Sequence, residues 1–155
     1  MIYFLTKTLT EDSKIIEKSI RSYSLERFYG LDIINATVYT ESDETFFIGL
    51  EKPKTIMFIR IRNILEFALP KLILKFDKDN FSSYKVRFGI LPFIIGILLC
   101  VRILLGIFLV FMRAEDLEAL VPPLITASLF VLFTKIELNW VDKKIKKSIE
   151  NLKNN

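Results

Sequence analysis

The chain has no histidine and one cysteine, Cys100, and each scarcity closes a class of chemistry. Without histidine, zinc sites of the usual Cys/His kind and Ser-His or Cys-His nucleophilic pairs are excluded. One cysteine allows no intrachain disulfide, and in an apolar run it reads as a small packing residue rather than a reactive thiol. No Gly-rich phosphate loop is present, and glycine numbers only 5 of the 155 residues. No metal site, no cofactor and no small-molecule substrate are expected. The opening MIYFLTKTLT has no basic region ahead of a long apolar run, so no cleavable signal peptide is expected. A strong basic excess is also missing from residues 1–87, where acids nearly balance bases, and this disfavours nucleic acid as a partner.

What the chain has in plenty is apolar residues, 52% of the total, with fourteen phenylalanines. They concentrate after Phe88. The stretch Phe88 to Met112 (FGILPFIIGILLCVRILLGIFLVFM) holds one charge, Arg102, and as a helix rising about 1.5 Å per residue it is long enough to cross about 30 Å of hydrocarbon. A short acidic connection, residues 113–119, leads to a second apolar run that begins at Leu120. Its apolar core ends at Phe133, so it spans only if Lys135 snorkels and Trp140 marks the interface.

The segment before Phe88 reads as a separate α+β domain. Ile2 to Leu9 has strand character, and Thr10 followed by Glu11 and Asp12 marks a helix start. Ile15, Ile16, Ile20 and Tyr23 then recur at helical spacing, which predicts a helix from Glu11 to Ser22 that packs on a sheet. From Ser24 to Asp43 the signal is poor apart from strand character over Asp32 to Thr40. Thr45 to Leu50, Thr55 to Arg62, Lys71 to Phe76 and Ser83 to Phe88 follow as strands, separated by turns. In Thr55 to Arg62 both faces are mostly apolar, so that strand is expected to be central.

The predicted architecture is therefore a cytosolic α+β domain over 1–87, strand-helix and then an antiparallel meander. A two-helix transmembrane hairpin over 88–140 follows, with spans at 88–112 and 120–140. A basic amphipathic cytosolic helix over 141–155 continues the second span, its stripe Val141, Ile145, Ile149 and Leu152 laid against the domain. Basic residues near the span ends fall on one side: Lys71, Lys75, Lys78, Lys85 and Arg87 with Lys135, Lys143, Lys144, Lys146 and Lys147. The other side has Arg113 alone among acids, so both termini are expected to be cytoplasmic.

Within the hairpin, Gly89, Gly96 and Cys100 suggest a small-residue seam facing Ala127 and Ser128. Arg102 is the polar candidate inside the membrane: no carboxylate lies at matching depth on the second span, which leaves snorkelling or a contact with Thr126, Ser128 or another subunit. Lys85, Arg87, Lys135, Lys143, Lys144, Lys146 and Lys147 are expected at the membrane surface, attracting anionic lipid headgroups. Arg60, Arg62, Lys52 and Lys54 read as a solvated, membrane-facing surface. The acids Glu41, Asp43, Glu44, Asp77 and Asp79 sit in turns and read as solvated rather than catalytic.

Phe47-Ile-Gly49, Ile56-x-Phe58-x-Arg60, Pro70, Lys85-Val86-Arg87, Pro122, and Glu137 ahead of a lysine-rich helix form a pattern in order along the chain. It resembles uncharacterised small bacterial membrane proteins with a strand-rich cytoplasmic domain and two spans. Glu66 departs from that pattern, which usually has asparagine there. The resemblance implies an architecture and a place in the bacterial inner membrane, and no particular activity. The expected function is non-enzymatic: a membrane-pinned cytosolic domain that binds a protein or regulates a membrane partner. Two alternatives are an immunity protein against a membrane-active toxin and an oligomeric channel or transporter accessory subunit.

Overall fold

A nine-residue strand and a 22-residue helix are separated by one glycine, Gly89, and this junction sets the layout of the molecule. The computed structural model describes residues 2–26, 30–32, 45–63, 66, 68–112 and 116–154. Its elements are β1 (Leu5–Thr8), α1 (Ser13–Ser22), β2 (Ser24–Glu26), β3 (Phe47–Glu51), β4 (Thr55–Arg60), β5 (Leu72–Asp77), β6 (Asn80–Phe88), α2 (Ile90–Phe111) and α3 (Val121–Asn154), with a 3-10 turn at Leu117–Leu120 before α3.

The six strands form one sheet in the order β1-β6-β5-β4-β3-β2. β3 to β6 are the expected antiparallel meander, and β1 pairs antiparallel with β6. β2 pairs parallel with β3, so the sheet is mixed. This short strand falls where the sequence signal was poor. All of the expected strand over Asp32 to Thr40 except Asp32 lies outside the described residues, as do Glu41, Asp43, Glu44 and Arg113. The first helix begins two residues later than expected, because the cap is Asp12, whose carboxylate accepts from the Lys14 N–H at 2.8 Å. Thr10, Glu11 and Asp12 therefore all precede the helix.

Alternation along the strands divides the core between two faces. On one, Phe47, Phe58, Phe76 and Tyr84 run ring to ring across β3, β4, β5 and β6, with centroids 6.3, 5.8 and 5.2 Å apart. Ile16 and Ile20 of α1 and Val141, Ile145 and Ile149 of α3 cover them. Burying each such side chain contributes about 1.5 to 3 kcal/mol, so this layer holds most of the fold's stability. On the other face Ile48, Met57, Ile59 and Ile73 pack with Leu31. β4 is central and apolar on both sides, as its composition implies.

α3 is one unbroken helix of 34 residues, and its C-terminal half lies on the sheet and α1. α2 and the N-terminal half of α3 instead stand away from the sheet and pack on each other. Pro92, Gly96, Leu99, Ile103 and Gly106 are the more buried positions of α2, spaced three and four apart. A Cβ at Gly106 would come within 2.5 Å of Leu120, and one at Gly96 would meet the Phe130 ring at 3.7 Å, so glycine lets the two backbones approach. Only 6% of the most apolar stretch of either helix is buried, and both helices are long and apolar enough to cross a membrane.

Candidate functional site

The site is the joint where α3 passes from α2 to the sheet. Arg60 ends β4 and Arg62 lies two residues on, so both side chains leave the face that carries Ile56 and Phe58. Glu137 of α3 meets them there. It accepts from Arg60 Nε at 3.2 Å, from Arg60 Nη2 at 2.7 Å and from Arg62 Nη2 at 3.0 Å. The side chains are 3%, 9% and 1% exposed for Arg60, Arg62 and Glu137, so these charges are withdrawn from water and depend on one another.

The remaining donors are also used. Arg60 Nη1 donates to Glu66 at 2.5 Å, and Arg62 donates to the carbonyls of Leu69 and Pro70, both at 2.8 Å. One helical turn beyond Glu137, the Trp140 ring lies 4.9 Å from the Arg60 guanidinium carbon, adding a cation–π contact. Burial works to discharge Arg60, but pairing with Glu137 and then Glu66 outweighs it and lifts its pKa. At Arg62 burial prevails over the pull of Glu137, helped by the neighbouring Arg60 charge, and the pKa falls; a guanidinium keeps its proton throughout the physiological range regardless.

The expectation of a solvated surface at Arg60 and Arg62 is thus corrected. An arginine on the buried face of a central strand requires a carboxylate, and the acid that answers it stands 77 residues away. The signal available in the sequence was the pairing of that strand position with Glu137, the first acid after the apolar run of the second helix.

A second ionic joint fastens α2. Arg87, near the end of β6, forms a two-pronged pair with Asp32 at 2.8 and 2.9 Å and is 3% exposed, so its expected place at a membrane surface is also corrected. The same carboxylate faces the backbone N–H of Ile90 in the first turn of α2, where Gly89 has no side chain to cap the helix. The hydrogen bond from Arg87 holds the Asp32 carboxyl below its usual pKa against the opposing effect of burial, and the charges of Arg87 and Lys71 and the Ile90 N–H add to it. Lys71 Nζ donates to the Asp32 carbonyl at 3.0 Å. A third joint holds the foot of α3: Asp142 accepts from Tyr84 Oη at 2.6 Å and pairs with Lys7. Burial first, and the Asp142 carboxylate second, push the Tyr84 phenol above its usual pKa.

The other expected site residues are scattered around these joints. Lys85, Lys135, Lys143, Lys146 and Lys147 are exposed. Lys144 and Lys147 lie over the Phe46 ring, 4.5 and 5.4 Å from its centroid, which draws both toward the sheet domain. Of the expected seam, Gly96 faces Phe130, Gly89 serves as the N-cap of α2, and Cys100 and Ala127 share the wall of a groove beside the contact. Ser128 does not belong to the seam: it is exposed and returns its hydroxyl to the Leu124 carbonyl at 2.8 Å. Thr126 does the same with Pro122 at 2.9 Å, and neither hydroxyl accepts a hydrogen bond from Arg102. Arg102 is exposed and meets no carboxylate among the described residues. Among those residues no cluster of metal-ligating side chains occurs.

Comparison of the chain with family models, curated proteins and solved structures returned no match. The three joints tie α2 and α3 to the sheet through charge pairs and hydrogen bonds between groups far apart in the chain.

Proposed function

We propose that the chain is an integral membrane protein of non-enzymatic type whose α+β domain is held at a set height and angle on the cytoplasmic face of a bacterial inner membrane, where it engages or regulates a membrane partner. The observation that carries this reading is the Glu137 joint. α3 leaves the apolar helix pair and becomes part of the domain core without a break, and at the crossing point Glu137 is gripped by two buried arginines. The Asp32–Arg87 pair does the same where β6 becomes α2. A domain that served only as a soluble module would need neither joint, and a flexible linker would suffice.

Two physical facts support the membrane part. The apolar surfaces of α2 and of α3 before Glu137 are exposed, including Leu98, Leu104, Leu105, Phe108, Ile125 and Val131, which is unfavourable in water and neutral in hydrocarbon. The basic residues cluster beside the sheet end of both helices, which favours that end on the cytoplasmic side. In sealed right-side-out vesicles, external protease should leave the sheet domain intact; its digestion would overturn the orientation. For the partner, photo-crosslinking residues placed at exposed Lys52, Lys54 and Lys85 in living cells should give one discrete membrane-protein adduct. A smear of abundant membrane proteins, unchanged from a control helix hairpin, would count against a specific partner.

A further inference from the structure

α2 and α3 leave a groove beside their contact, of about 620 Å³, with a lining that is apolar except for Thr134 and Lys135. Thr134 spends its hydroxyl on the Phe130 carbonyl at 2.8 Å, so the walls present hydrocarbon. Small side chains make the room: Gly96 and Cys100 on α2, Ala127 on α3. At the sheet end the groove is bounded by Ile2 and Phe4, with Phe4 stacked on Phe88 at 4.5 Å. Along α3 it runs from Ala127 to Leu138, about 16 Å at 1.5 Å per residue, and this matches one leaflet, half of about 30 Å of hydrocarbon.

Lys135 stands toward the sheet-side end, exposed and without a carboxylate partner among the described residues. Its stem lies along the apolar wall, and its ammonium can rise to the level of lipid phosphates. The groove therefore offers hydrocarbon for the depth of a leaflet and one cation at headgroup height.

We propose that the groove holds an acyl chain of one anionic phospholipid from the leaflet on the sheet side, with its phosphate on Lys135. The assignment rests on the membrane reading above. The chain would fill the space between the two helices, and the headgroup would lie at the depth of the Glu137 joint on a different face of α3.

Native mass spectrometry of the full chain, released from membranes in mild detergent, tests this. The protein should retain one phospholipid, with anionic lipid preferred over zwitterionic by about fivefold, the share expected of one basic residue near the surface. Lys135→Gln should keep a lipid but lose the preference. Ala127→Phe and, independently, Cys100→Phe should fill the groove and abolish retention while the melting transition of the domain persists. Equal retention in the wild type and both filled variants would mean annular lipid only and would overturn the proposal, as would a dimer that carries no lipid. Alkaline carbonate extraction separates the two readings. A chain that stays with the membrane yet retains no lipid sinks the groove assignment alone, whereas release into the supernatant sinks the membrane reading itself.

Discussion

The two halves of α3 belong to one helix and have opposite surfaces. Before Glu137 the apolar side chains Leu124, Ile125, Leu129, Val131 and Leu132 point outward and only a narrow strip meets α2. From Glu137 onward Val141, Ile145, Ser148 and Ile149 point inward against the sheet and α1, while Lys143 and Lys146 face out. The helix geometry is continuous; what changes is whether its apolar side chains are exposed or covered by the sheet and α1. Glu137 marks the change, and it is the position where the protein places a buried carboxylate. A charge there is tolerable because two arginines of the sheet reach it, and it is useful because it denies the helix freedom to slide or rotate against the domain.

The largest effect should come from breaking that boundary. Glu137→Ala leaves Arg60 and Arg62 buried with Glu66 as their nearest remaining acid, and should destabilise the domain by about 3 to 5 kcal/mol in denaturant titration of the detergent-solubilised chain. Replacing Arg60, Arg62 and Glu137 together by apolar residues of similar volume should recover most of that loss, and failure to recover any of it would show that the charges do more than balance one another. Next in size is the foot of the helix. Ile145→Ala opens a hole under the sheet and should cost about 2 to 5 kcal/mol.

The Asp32 joint should show itself through pH. Its carboxyl titrates lower in the folded chain than its unperturbed value of 3.8, so the pairing stabilises fully above that value and its contribution fades as pH falls through the lowered one. The wild type should therefore lose thermal stability below about pH 4 more steeply than Asp32→Asn; parallel curves would remove Asp32 from the account. The smallest effect belongs to the outward half of the helix: Ile125→Ala should change stability in detergent by no more than about 0.5 kcal/mol, and a loss as large as that of Ile145→Ala would show that this surface is covered by protein.

Much of the fold could be read along the chain. β4, β5 and β6 carry alternating or fully apolar runs between turns, and both long helices announce themselves by unbroken hydrophobicity. β2 could not be read, because three residues are too few for a period and its parallel partner lies beyond a long intervening stretch. The candidate site was half legible. Glu137 and Arg60 were each singled out as residues of a pattern, yet their meeting depends on where α3 lands on the sheet, which local spacing does not encode. Arg87 was misplaced for the same reason: beside an apolar run a lone arginine looks like an interfacial charge until its partner, Asp32, is brought to it.

By itself the sequence determined the division into an α+β segment and a pair of apolar helices, since periodicity and hydropathy are local properties that each segment carries with it. It also determined which chemistry is closed, through the missing histidines and the lone cysteine. Only the tertiary structure decided which charges are surface and which are structural. Arg60, Arg62 and Arg87 became buried joints because burial is set by what packs over a side chain, and the elements that do so here come from distant parts of the chain.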